Sequence, residues 1–162
     1  SDLNFTELVQ QTGGEFEEKF AARRLDLVTH IPDGRLIIQA DGRRLWRILE
    51  NLYNNACKYA MEGSRVYVDL KEEDGMAVFT IKNVSESPLN IDASELTERF
   101  VRGDVARTTE GSGLGLSIAK NLTLLQKGTF DIIIDGDLFK ALVAFPVKKP
   151  EDPQEKQPDI PE

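Results

Sequence analysis

Three glycines at alternate positions, Gly111, Gly113 and Gly115, run straight into the apolar segment Leu114-Gly115-Leu116-Ser117-Ile118-Ala119-Lys120. Without a Cβ, successive backbone N–H groups can turn toward one ligand, and a helix that starts there adds unpaired N–H groups and the positive end of its dipole. The chemistry this suits is the holding of a phosphate. A P-loop would need Gly-Lys-Ser/Thr closing its glycine run, and a dinucleotide fingerprint would need G-x-G-x-x-G directly after a strand; this segment is neither. The residues before it, Asp104 to Glu110, are polar and lack a strand period, so the glycines are expected to close a long mobile segment.

A second set of residues lies upstream. Asn51, Asn55 and Lys58 recur at helical intervals and form a stripe at the edge of an apolar face made by Leu45, Ile48, Leu49, Leu52 and Ala56, with Tyr59 between the two. Asn is a poor helix former, at a cost of ~0.7 kcal/mol or less per position relative to Ala, so Asn51, Asn54 and Asn55 together point to a use. A carboxamide oxygen can join a Mg²⁺ shell made mostly of water and phosphate oxygens, and the Lys58 ammonium could neutralise phosphate charge. Taken alone, an Asn pair on a helix reads as a solvated face. The stripe and the glycine segment lend each other weight.

The composition bounds the setting. The chain has 162 residues, enough for one domain with a real core, and is 40% hydrophobic and 30% charged. Its formal net charge of −8 argues against nucleic acid or an anionic membrane as a general partner. No apolar run of spanning length and no signal-peptide pattern is present, so a soluble, non-secreted segment is expected. The single cysteine, Cys57, fits a reducing cytoplasm and reads as a packing residue. Neither Cys nor His is clustered in a zinc-binding pattern. Residues 148–162 hold four of the seven prolines and few apolar side chains, the composition of a disordered tail, leaving 1–147 as the folded domain.

Hydrophobic periodicity outlines the elements that must position these groups. Phe5 to about Leu25 is helical in pattern, with an interruption expected at Gly13-Gly14. Two short strands follow, Leu25 to Thr29 and Leu36 to Ala40, and Asp41 is a good N-cap for the Asn-bearing helix, which is expected to run to about Met61. Arg65 to Leu70 and Met76 to Lys82 alternate around Asp74-Gly75, a hairpin signal repeated by Phe130 to Ile134 and Leu138 to Phe145 around Asp135-Gly136. Between the hairpins come a loop from Asn83 to Ile91, a short helix from Asp92 to Phe100, and a helix from Leu114 to about Lys127. Strands mixed with helices suggest an α/β two-layer sandwich, one sheet with its helices on a single face.

At this point the motifs become recognisable. Asn51-Leu52-Tyr53-Asn54-Asn55-Ala56-Cys57-Lys58-Tyr59 resembles the N box of bacterial sensor histidine kinases, Glu98 to Asp104 resembles their F box, and Gly111 to Leu116 resembles their second glycine box. The match covers Asp41 to Pro146 and marks a member of the GHKL ATPases, which also include type II topoisomerases, mismatch-repair ATPases and a heat-shock chaperone. The resemblance implies a mixed sheet of about five strands backed by about three helices, with a flexible lid over an ATP site. It implies Asn55 as the Mg²⁺ ligand, Asn51 beside it, Lys58 as a phosphate contact, Tyr59 near the nucleotide and Arg102 near the γ-phosphate. Gly111, Ser112, Gly113, Leu114, Gly115 and Leu116 would close on the phosphates. Phe100 would anchor a lid from Val101 to Ser112.

One departure stands out. Where the family has Asp-x-Gly-x-Gly, whose Asp accepts from the adenine amino group, this chain reads Asn83-Val84-Ser85-Glu86-Ser87-Pro88-Leu89, which places Asn83 at the Asp position. An amide oxygen still accepts from an amine but without charge assistance, so weaker or less base-selective nucleotide binding is expected. His30 is the only histidine and sits in a strand pattern, unlike the family's phosphoacceptor, so it reads as a surface or structural residue.

The implied function is the catalytic domain of a two-component sensor histidine kinase. It would position ATP and Mg²⁺ for γ-phosphate transfer to a histidine on an upstream dimerisation hairpin, with a response regulator as the next partner. Charge neutralisation and positioning carry most of such a transfer, and the general base is expected beside the acceptor histidine. The family also implies a cytoplasmic domain of a membrane-anchored sensor, a homodimer at full length and a monomer for this domain alone. Two alternatives are a degenerate nucleotide-binding or docking module without kinase activity, and an ATP-hydrolysing relative. The second is disfavoured because Asn51 stands where the hydrolytic members place a catalytic Glu, with only Glu50 adjacent.

Overall fold

The computed structural model describes residues 1–89 and 114–149, with the backbone alone at Leu114. Its elements are β1 (Asp2–Asn4), α1 (Phe5–Ala22), β2 (Asp26–His30), β3 (Ile37–Gln39), α2 (Gly42–Tyr59), β4 (Arg65–Glu73), β5 (Met76–Val84), α3 (Leu114–Leu125), β6 (Thr129–Asp135) and β7 (Leu138–Pro146). The expected helix from Asp92 to Phe100, the F-box segment and residues 150–162 lie outside the described residues. Lys148, assigned from composition to the tail, donates its backbone N–H to Ile37 O at 2.7 Å, and its ammonium pairs with Asp2 at 2.8 Å.

Five strands form a mixed sheet in the order β2-β4-β5-β7-β6. Only the β2–β4 pair is parallel, and α2 supplies the crossover that a parallel pair requires. Alternate residues of the central strands are buried: Val66, Val68 and Leu70 on β4, Ala77, Phe79 and Ile81 on β5, and Ala141, Val143 and Phe145 on β7. The helices cover this face. The Phe79 ring lies 6.3 Å from Phe5 of α1 and 6.1 Å from Tyr53 of α2, centroid to centroid. This is the two-layer α/β sandwich that the sequence pattern indicates.

Tyr53 is fully buried among Phe16, Phe20 and Phe79, although the helical period had placed only its neighbours in the core. Its hydroxyl has no hydrogen-bond partner among the described residues, and burial pushes its ionisation well above the ordinary tyrosine range.

Several expectations are corrected by tertiary contacts. The break at Gly13-Gly14 does not occur, and α1 is one helix. Its buried stripe of Phe5, Val9, Thr12, Phe16 and Phe20 continues across the glycines, so burial outweighs a propensity cost of about 1 kcal/mol per glycine. β1 was not anticipated; it is three residues long and gains its order by pairing antiparallel with β3. β5 extends through Asn83 and Val84, expected in a loop, because their backbones pair with Phe139 and Leu138 of β7. The second hairpin turns at Gly136-Asp137, one residue later than expected, since Asp135 pairs with Leu138 and the positive φ of 61° falls on Gly136. In the first hairpin both loop residues, Asp74 and Gly75, have positive φ, as a type I′ turn requires.

Two helix ends matter for the site. The Asp41 carboxylate accepts from the backbone N–H groups of Arg43 and Arg44 at 2.9 and 3.1 Å, which caps α2 and holds the carboxyl below its usual pKa. Just past the end of α3, Lys127 takes φ 67° and Gly128 donates its N–H back to Thr123 O at 3.0 Å. A Cβ on Gly128 would stand 2.6 Å from the Phe145 ring and 2.9 Å from the Ala144 carbonyl oxygen. That glycine lets α3 pass directly into β6 against β7.

The glycines make a paired prediction. A Cβ at Gly14 meets nothing within 4 Å, so Gly14→Ala should stabilise by about 1 kcal/mol through helix propensity. Gly128→Ala should destabilise by about 2 kcal/mol or more through overpacking. Urea unfolding of both variants beside the parent protein reads the two signs.

Candidate functional site

α2 and α3 lie antiparallel, tied near both ends. The Asp41 backbone N–H, at the start of α2, donates to Gln126 Oε1 just beyond the end of α3, at 2.7 Å. About three turns along, Asn51 of α2 faces Gly115 in the first turn of α3, where a Cβ would lie 3.6 Å from Asn51 Oδ1. The Asn51 amide nitrogen donates back to Arg47 O at 2.9 Å, which leaves the side-chain oxygen turned toward α3. The N-terminal end of α3, where the positive end of the helix dipole lies, is thereby held against the carboxamide stripe.

Between them opens a cleft of about 320 Å³. Asn51, Asn54, Asn55, Lys58 and Tyr59 line it from α2 and Gly115 from α3, so most of the α2 residues singled out in the sequence share one space with the glycine-rich helix start. The Lys58 ammonium sits 5.8 Å from the centroid of the Tyr59 ring, in cation–π range. Beyond Tyr59 the chain joins the end of β5: Glu86 N–H donates to Tyr59 O and Met61 N–H to Val84 O, both at 2.9 Å, and Ala60 bridges Ser85.

Asn83, two residues before that junction, is 3% exposed. It continues the alternation of Ala77, Phe79 and Ile81, so it belongs to the helix-covered face of β5. It does not line the cleft below Asn51 and Asn55. Leu116 is buried at 1% exposure and anchors α3 in the core. Leu114 begins that helix. Arg102, Phe100, Gly111, Ser112 and Gly113 lie outside the described residues.

Two cleft residues were not anticipated there. Cys57, half-buried, borders the cleft while its thiol donates to Lys19 O at 3.6 Å, and burial pushes the thiol pKa up. Arg23 reaches in from the end of α1. Nothing in the sequence separates Arg23 from Arg24; the turn that follows α1 decides which of them points inward. Glu50 is absent from the cleft lining, and His30 is exposed on the edge strand β2, 3.2 Å from Asp69. No group of three or more His, Cys, Asp or Glu able to hold a metal occurs among the described residues. The donors at the cleft are amide oxygens, which suit a hard cation that keeps water and phosphate ligands.

The sequence matches the family described as "Histidine kinase-, DNA gyrase B-, and HSP90-like ATPase" over residues 40–156. The chain belongs to this family of ATPases. Its relatives include sensor histidine kinases: it is 30% identical over 128 residues to sensor histidine kinase RppB of Synechocystis sp., a match covering 78% of this chain and 28% of RppB. The chain thus spans less than a third of that relative. Among solved structures, the nucleotide-free catalytic domain of histidine kinase ThkA superposes with a TM-score of 0.78 at 22% identity, over 91% of this chain and 95% of that domain. Full-length ShkA in complex with AMPPNP gives 0.76 at 21% identity, over 94% of this chain and 32% of ShkA. These likenesses establish the GHKL type of α/β sandwich.

Gly115 offers a test of the cleft. A methyl there would make only ordinary contact with Asn51, so Gly115→Ala should leave the thermal midpoint within a few degrees of the parent, while nucleotide affinity falls by roughly tenfold as the methyl occupies ligand space.

Proposed function

We propose that this chain is the ATP-binding catalytic domain of a bacterial two-component sensor histidine kinase, which presents ATP with Mg²⁺ to a phosphoacceptor histidine on a dimerising helical hairpin elsewhere in the protein. One observation carries the reading: the Asn51, Asn55 and Lys58 stripe faces the N-terminal turn of α3 across a single cleft. AMPPNP, held by the structurally similar ShkA, is the class of ligand such a cleft fits.

In this reading Asn55 is the protein ligand of Mg²⁺ and Asn51 orients a water or phosphate oxygen next to it. The ion supplies charge neutralisation at the triphosphate when bound. Lys58 pairs with phosphate oxygens, and the first turn of α3, from Leu114, donates backbone N–H groups to them together with the glycine-box residues Gly111, Ser112 and Gly113. Arg102 meets charge developing at the γ-phosphate. Tyr59 packs beside the nucleotide, and Asn83 receives the adenine amino group. No described helix is long and apolar enough to cross a membrane, and we assign the domain to the cytoplasmic side of an anchored sensor. A response regulator then takes the phosphoryl group from the histidine. The ATP-binding unit runs from residue 1 through Lys148, which the Ile37 and Asp2 contacts tie to the fold, and the remainder to 162 is its tail.

Titration with a fluorescent ATP analogue tests the site. Asn55→Ala should abolish the Mg²⁺-dependent part of the affinity, a loss of roughly tenfold or more, with the fold intact by circular dichroism. Absence of any nucleotide binding by the parent protein would sink the proposal. Supplying a cognate hairpin domain with ATP and Mg²⁺ then reads phosphotransfer.

At the base end, Asn83→Asp should raise ATP affinity several-fold and sharpen discrimination against GTP, because a carboxylate accepts from the adenine amine with charge assistance and repels the guanine O6. Competition by ATP and GTP for the bound analogue measures both.

A further inference from the structure

We infer that Arg23 is a positioning residue for the nucleotide site: it clamps the last turn of α2 and so sets Lys58 and Tyr59 in the cleft. The inference rests on the nucleotide reading above and adds to it a residue from outside the recognised motifs.

Arg23 is rigidly placed before its side chain begins. Its backbone N–H donates to Phe20 O at 3.1 Å as the C-cap of α1. Arg24 then adopts φ 56°, and Leu25 N–H returns to Phe20 O at 2.8 Å, closing α1 with a left-handed turn. The Arg23 carbonyl accepts from Gly63 N–H at 3.4 Å, which docks the turn after α2 onto the end of α1.

From that base the guanidinium reaches the end of α2. Its Nη1 donates to the carbonyl oxygens of Cys57 and Lys58, the latter at 3.1 Å, and its Nη2 pairs with Glu86 Oε1 at 3.4 Å. The last carbonyls of a helix have no partner within it and carry the negative end of its dipole, so a cationic fork suits both the geometry and the charge. Glu86 in turn donates its backbone N–H to Tyr59 O at 2.9 Å. Arg23 therefore joins the last turn of α2 to the segment that follows β5.

Last helical turns fray most readily, and here that turn carries three of the cleft residues, Cys57, Lys58 and Tyr59. The side chain of Arg23 is 28% exposed, and its Nη groups are spent on protein oxygens. Its action on a bound nucleotide passes through the turn it holds.

The experiment combines Arg23→Ala, Arg23→Lys, Lys58→Ala and the corresponding double variants, with a fluorescent ATP analogue and Mg²⁺, at temperatures where circular dichroism shows each protein folded. Arg23→Ala should weaken binding about tenfold, Arg23→Lys should recover only part because one ammonium nitrogen cannot span the Cys57 and Lys58 carbonyls and the Glu86 carboxylate as the two guanidinium nitrogens do, and either change should have little further effect in the Lys58→Ala background. Where Arg23→Ala fails to fold, the cycle of Arg23→Lys with Lys58→Ala carries the same comparison. Full recovery by lysine, additive losses, or unchanged affinity would each overturn the inference. Amide exchange of the ligand-free protein gives an independent reading: residues 57–61 should exchange faster in Arg23→Lys, and unchanged exchange would also overturn it. Because this readout needs no nucleotide, failure of the parent to bind ATP would be told apart from failure of the Arg23 clamp.

Discussion

The antiparallel lock between α2 and α3 is the constraint on which the site depends. It is made at one end by the hydrogen bond from Asp41 N–H to Gln126 Oε1 and at the other by the close approach of Asn51 and Gly115. Neither helix has a binding site alone. A carboxamide stripe in water is merely solvated, and a helix N-terminus in water is satisfied by solvent. Held face to face, the two sets of polar groups converge on the same small volume, where a ligand with negative charge and a hard cation would meet donors from one wall and acceptors from the other. The sheet's part is indirect: its buried face fixes how both helices lie.

The opposite end of α2 is secured differently. There the constraint is polar and passes through backbone atoms: Tyr59 and Met61 bond the continuation of β5, and the Arg23 guanidinium satisfies carbonyls that the helix itself leaves unpaired. The helix is thus pinned at its N-terminus by its Asp41 cap and the Gln126 contact, along its apolar face by the core, and at its C-terminus by α1 and the post-β5 segment. Its polar stripe is positioned by elements drawn from most of the domain. This arrangement suits a site whose contribution to phosphoryl transfer is geometry and charge, with little covalent chemistry of its own.

Much of this was legible before folding. The turn dipeptide at Asp74-Gly75, the cap at Asp41 and the apolar period of α2 are local signals, each readable from neighbouring residues, and the structure bears them out. The misreadings share one cause. Gly13-Gly14 carried a local signal for a break, but the helix continues because its far face is buried under residues distant in sequence. Asn83 looked like the start of a loop, yet its backbone pairs with Phe139 and extends β5 onto the helix-covered face. β1 is too short to have a periodicity and exists through β3.

By itself, the sequence determined which groups were available: carboxamides at helical spacing, a cation in the same stripe, and glycines opening a helix. Local periodicity and side-chain chemistry are properties of neighbouring residues, so they survive without a fold. Tertiary structure alone decided which of those groups meet. Asp41 finds Gln126 from 85 residues away, and Arg23, not Arg24, finds Lys58 from 35 away, because packing of the shared core chooses those partners and no short-range rule can name them.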